Sequence, residues 1–204
     1  MSSMKGDDDT ISMPPLNMAT IESFGEAVLA EFFPEALKQP MPVDLLHLVD
    51  EVLPRYGIHV TPASAVEMGD NLGLTDPSGT LSIDVLLLDD LWDQLLVGGP
   101  IANRARATVA HELGHCILHV PVIRKRRASP YGQHLLARVA REEVPAFKCA
   151  EWQAWALGGC ILAPRRTINM VSNPTVAKLA NIYQISISMM QQHLRRLRIS
   201  VPGM

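Results

Sequence analysis

His111-Glu112-Leu113-Gly114-His115 sets two imidazoles four residues apart. On a helix that spacing places both on one face, one turn apart, so both rings can reach a single ion. Glu112 directly follows the first histidine, where its carboxylate can take a proton from a water activated at that ion. This is the H-E-x-x-H arrangement of metal-dependent hydrolases. Val109, Ala110, Leu113, Ile117 and Leu118 make the helix half-buried. Two histidines and a glutamate on such a helix are costly without a partner or an ion.

A catalytic zinc takes three protein ligands and keeps one position open. Beyond the motif the chain has three acids, Glu142, Glu143 and Glu151. Glu142 and Glu143 sit beside Arg138 and Arg141 and suit an exposed helix paired to its own arginines. Glu151 lies among Ala146, Phe147, Ala150, Trp152, Ala154 and Trp155, a setting in which a carboxylate needs a partner. Ala150, Ala154 and Gly158 are small enough for two helices to approach closely. Glu151 is therefore the expected third ligand, and a buried ion pair with an arginine is the simpler alternative. His119 shares the metal face one turn beyond His115. It suits outer support of the site, a substrate contact, or a helix-end position favourable to the dipole. Zinc is the expected ion, and manganese accepts the same ligand types.

The elements that must position these residues follow from periodicity and punctuation. Helices are predicted over 18–33, 42–56, 101–119, 133–144, 146–162, 174–183 and 186–198. Residues 57–60 read as a strand. Residues 66–88 read as β structure around the turn Asp76-Pro77-Ser78-Gly79, and 87–97 as a short helix or an irregular excursion. Pro121 reads as the stop of the motif helix, followed by a loop over 121–132 that carries Arg124-Lys125-Arg126-Arg127. Residues 1–15 read as a disordered lead-in. They lack the basic and apolar regions of a signal peptide.

The 204 residues are 48% hydrophobic and 19% charged, a globular composition. No apolar run approaches a membrane span. Cys116, Cys149 and Cys160 form no C-x-x-C pair and read as small core residues in a reducing cytoplasm. The net charge of −3 conceals a split: residues 1–100 carry 17 acids against 3 Lys/Arg, and residues 101–204 carry 4 against 15. The split suits either two halves that face each other in one domain or a nucleic-acid or acidic partner. Residues 165–204 hold six Lys/Arg and no acid, which also fits a DNA-binding or partner-binding regulator with a structural metal. Direct nucleic-acid binding is the less expected of the two. The arginine run is a candidate docking site for an acidic stretch of a partner.

Ala110-His111-Glu112-Leu113-Gly114-His115, preceded by Arg104-x-Arg106-Ala107-Thr108, resembles the ImmA/IrrE family of metallopeptidases. Glu151-Trp152-Gln153-Ala154, closing on Ile161-Leu162-Ala163-Pro164, is similar to the family's second motif. The Pro42-Val43-Asp44 segment and the tail from Val176 to Leu197 also resemble the family, so the likeness spans about residues 20–200. Ala107 replaces the usual Phe, Trp155 stands where Asn or Asp is common, and Gly158-Gly159 replace larger residues. The resemblance implies an α+β fold with a zincin-like core, a small twisted, mostly antiparallel sheet over the motif helix, and a helical tail. It implies a metallopeptidase domain over 16–170 and a helix-turn-helix-like subdomain over 171–204. It further implies Glu112 as general base, with His111, His115 and Glu151 on zinc. The implied activity is cleavage of a helix-turn-helix repressor in the cytoplasm, releasing transcription, with a strand near Thr80 to Val85 receiving the substrate.

Overall fold

The architecture is that of a computed structural model that describes residues 9–79, 82–129, 138–140 and 144–204. It is α+β and mostly helical, with one small mixed sheet. Strand β1 (Asp9–Ile11) precedes helix α1 (Met18–Phe32), which starts where the Asn17 side chain accepts from the Thr20 N–H at 2.9 Å. A helical run then covers Leu45 to Tyr56, its last turn closed by Gly57 in the left-handed region. Strands β2 (Ile58–Ala63), β3 (Gly73–Asp76) and β4 (Ile83–Leu88) follow. Then come α2 (Asp89–Val97), α3 (Asn103–Leu118) and α4 (Val120–Arg127). Strand β5 (Arg138–Ala140) leads to α5 (Ala150–Leu162), and the tail holds α6 (Val176–Tyr183) and α7 (Ile187–Leu197).

The sheet order is β2-β4-β3, parallel between β2 and β4 and antiparallel between β3 and β4. It is thus mixed, where a mostly antiparallel sheet was expected. The β3–β4 pair surrounds the legible Asp76–Gly79 turn. The parallel partner is a non-local pairing that turn chemistry does not announce. Along β4, Ile83, Val85 and Leu87 are buried, and the first two pack on Cys116 of α3 and Val120 of α4. The sheet therefore lies against the motif helix.

Helix α3 is buried on almost every side, from Ala105 to Leu118, as suits a helix enclosed by other elements. Helix α5 crosses it at backbone contact. A Cβ on Gly114 would lie 2.7 Å from Ala154 Cα, and one on Gly158 would lie 2.9 Å from the Ala110 carbonyl. The small residues on both helices are what permit this approach. The tail joins the same core: Val176, Leu179, Tyr183, Met190, Leu194 and Leu197 pack continuously with Leu157 and Ile161. Buried Arg106 of α3 donates from Nε to the Gln184 carbonyl between α6 and α7 at 3.0 Å.

Three elements differ from the sequence reading. The 121–132 loop is helical over its first part, because Pro121 occupies the first turn of α4, where its missing N–H costs nothing. The helix expected over 133–144 lies largely outside the described residues, Glu142 and Glu143 included, and Arg138–Ala140 pairs antiparallel with Asp9–Ile11 as a strand. The lead-in is fastened from Asp9 onward. Ser12 bridges to Cys149, the Met13 N–H donates to the Lys148 carbonyl at 2.8 Å, and Met13 itself is buried.

The arginine run is engaged by the fold. Arg124 donates to the Ser82 carbonyl, Arg126 to Ser12 at 2.8 Å and Arg127 to Pro77 at 3.3 Å. These bonds fasten α4 to the start of β4, to the N-terminal segment and to the turn after β3. Across the charge split, Arg165 makes a two-pronged pair with Glu22 of α1 at 2.6 and 2.9 Å. Among the described residues, no helix is long and apolar enough to cross a membrane.

Candidate metal centre

His111 projects from the middle of α3 and His115 from its last turn, and Glu151 projects from the first turn of α5 where the two helices cross. Two imidazole nitrogens and a carboxylate converge. His111 Nε2 and His115 Nε2 are 3.1 Å apart; the first lies 3.2 Å from Glu151 Oε2 and the second 3.4 Å from Glu151 Oε1. Ligands at ~2.0–2.1 Å around a tetrahedral ion sit roughly 3.3 Å from each other, so these spacings suit the triangle of residues as one face of such a site. The donor set, two imidazole nitrogens and a carboxylate, fits a divalent ion of the zinc type. The three predicted ligands are thus brought together, and among the described residues Glu151 pairs with no arginine.

The electrostatics match a cation-seeking cluster. Burial works to raise the Glu151 carboxyl, but hydrogen bonds from His111 and His115 hold it well below the ordinary carboxylate range. Burial disfavours charge on His115, and the Glu151 carboxylate beside it outweighs that and raises it.

Glu112 is not one of the three clustered residues, and its carboxylate meets the sheet. Thr75 Oγ1 of β3 donates to Glu112 Oε2 at 2.6 Å. A Cβ on Gly73 would lie only 2.7 Å from Glu112 Oε1. One oxygen is thereby held by a hydroxyl, and the other has room only because residue 73 lacks a side chain. Neither Thr75 nor Gly73 was singled out by sequence reasoning. Each belongs to a strand that meets α3 only in three dimensions. The segment expected to receive substrate, Thr80 to Val85, falls in part on a strand without a free edge. Thr80 and Leu81 lie outside the described residues, and Val85 is on β4, the central strand with both sides paired. The sheet edge beside Glu112 is β3.

The two histidines are steadied differently. The His111 ring lies against the Trp155 indole, with centroids 4.3 Å apart and planes tilted by 30°, and its buried Nδ1 has no hydrogen-bond partner among the described residues. Trp155 thus supplies a packing face and no acceptor. His115 instead meets a third histidine: Nδ1 of His119 is 3.0 Å from Nδ1 of His115. His119 is buried, and burial followed by the nearby His115 pushes it down to about 3, so it is a neutral imidazole. Burial pushes the Cys116 and Cys160 thiols up to about 12, as inert core residues.

No protein-family model, curated protein or solved structure matches this chain.

Proposed function

We propose that this protein is a zinc-dependent endopeptidase of the ImmA/IrrE kind, with a zincin-like core, acting in the cytoplasm on a helix-turn-helix repressor and so releasing transcription. The observation that carries the reading is the 3.1–3.4 Å triangle of His111, His115 and Glu151 with Glu112 beside it on the same helix. The motif resemblance supplies the substrate class. Manganese is the alternative ion.

A zinc ion held by the three ligands would supply Lewis-acid chemistry, bringing the pKa of water toward ~7 and polarising the scissile carbonyl. Glu112 does the proton work. Its Oε2 is engaged by Thr75, which leaves Oε1, beside Gly73, to take the proton from the attacking water and return it to the leaving amine. An extended substrate segment would add to the free edge of β3, next to that carboxylate.

Gly73→Ala tests this placement. The new methyl presses on the Glu112 carboxylate and on Thr108, and its three nearest atoms belong to none of the three ligands. Cleavage of the repressor should fall by about 10²-fold, the cost of an ångström-scale misplacement, while zinc affinity stays unchanged. Wild-type cleavage by that variant would remove Oε1 from the mechanism.

Direct DNA recognition by the tail is the rival reading. Helix α7 turns Met189, Met190, His193, Leu194 and Leu197 into the core, and Arg165 is occupied by Glu22. The expected result is no salt-dependent retention on duplex DNA, even at low ionic strength; retention that weakens steeply with salt would favour the rival.

A further inference from the structure

We infer that His119 and Gln153 form a one-directional hydrogen-bond relay that fixes which nitrogen of His115 carries its hydrogen, and therefore which nitrogen is offered to a metal. The inference rests on the reading of His111, His115 and Glu151 as metal ligands.

The direction is set at the far end of the relay. Gln153 Nε2 donates to two backbone carbonyls, Pro14 at 2.9 Å and Phe147 at 2.8 Å. The reversed amide would set its oxygen against both carbonyl oxygens, so the amide has one permissible orientation. Its Oε1 then faces His119 Nε2 at 3.1 Å. An amide oxygen only accepts, so His119 must carry its hydrogen on Nε2. The ring is enclosed, and its two nitrogens face an amide oxygen and an imidazole nitrogen rather than a carboxylate, so it holds one hydrogen, which leaves a lone pair on His119 Nδ1. That lone pair faces His115 Nδ1 at 3.0 Å and accepts from it. His115 therefore keeps a hydrogen on Nδ1, which leaves Nε2, the atom that faces His111 and Glu151, as the nitrogen that gives up its hydrogen to take an ion.

Both relay residues are enclosed, each only 1% exposed, so water does not compete for these bonds. The relay does for His115 what an outer carboxylate or carbonyl commonly does for a metal-bound histidine. It also ties the ligand to the N-terminal segment through Pro14, 101 residues before it in sequence. His119 and Gln153 are positioning residues: they act on the ion only through His115.

The test uses the full-length chain labelled with 15N in histidine and reads tautomers by long-range 1H–15N correlation. His119 is expected as the Nε2–H tautomer in both metal-free and zinc-loaded protein, and His115 as Nδ1–H when loaded. His119 as Nδ1–H overturns the relay. In parallel, His119→Phe should weaken zinc binding by about 10–100-fold, whereas His119→Gln, which restores an acceptor toward His115 Nδ1, should recover most of that loss. Equal weakening in both variants, or none in His119→Phe, also overturns it. Should a variant fail to fold, the wild-type tautomers still decide. Wild-type chain that takes up no zinc would refute the metal reading alone, because the His119 tautomer in the metal-free protein judges the relay separately.

Discussion

Glu112→Gln should abolish peptide-bond cleavage while leaving zinc binding intact. Glutamine preserves the length and shape of the side chain, and the Thr75 hydroxyl can still donate to its oxygen. What disappears is the ability to accept a proton. General-base catalysis contributes ~10²–10⁴-fold, or about 3–5 kcal/mol of barrier, so turnover of the repressor should fall by that factor. The ligand triangle contains no atom of Glu112, so zinc stoichiometry and affinity should match the wild type. The assay pairs a zinc titration with digestion of a candidate helix-turn-helix repressor, chosen as one that the wild-type chain cleaves. Full cleavage by this variant would end the peptidase mechanism, whatever the metal does.

Glu151→Gln is expected to act in the opposite order, removing the metal first and the activity as a consequence. Glu151 supplies the one anionic ligand, and both of its oxygens face the two imidazoles. Loss of an outer-shell partner typically costs 10–100-fold in metal affinity. Loss of a direct ligand should exceed about 100-fold on that scale. Cleavage should return only at zinc concentrations that refill the site. Thermal stability of the metal-free chain should change little, because the side chain is 38% exposed and its amide replacement still bonds to a histidine. The contrast between the two variants is diagnostic: one retains metal without activity, the other loses both together. If Glu151→Gln bound zinc as tightly as the wild type, the third ligand would have to be another residue.

Much of the centre was legible because helical periodicity encodes it locally. His111 and His115 share a face by spacing alone, His119 extends that face, and Glu151 stands out as a carboxylate in an apolar helix. The small residues Ala150, Ala154 and Gly158 announced a close helix approach, and the crossing falls at Ala154 and Gly158, with Gly114 facing Ala154 from the other helix. What remained hidden depends on distant chain segments. Thr75 and Gly73 reach Glu112 from an edge strand, and the Gln153 amide is oriented by backbone carbonyls of Pro14 and Phe147. Backbone acceptors leave no trace in residue type. The parallel β2–β4 pairing was hidden for the same reason, as was the strand at Asp9–Ile11, whose partner is Arg138–Ala140. Pro121 was misjudged because proline both ends helices and begins them, and only the tertiary path shows which.

The arginine run has a structural role that composition does not announce. Four consecutive cations read as a docking site for an acidic partner, and three of them also reach carbonyls of the chain itself. The charge split is in part internal as well, since Arg165 and Glu22 join its two halves across α1 and the tail.

X-ray absorption at the zinc edge of the purified, zinc-loaded chain tests the central claim most directly. One equivalent of zinc with two imidazole nitrogens, one carboxylate oxygen and one further oxygen from solvent, all at ~2.0–2.1 Å, is the predicted result. A shell containing sulfur, a shell filled entirely by protein ligands, or no stoichiometric zinc would contradict it.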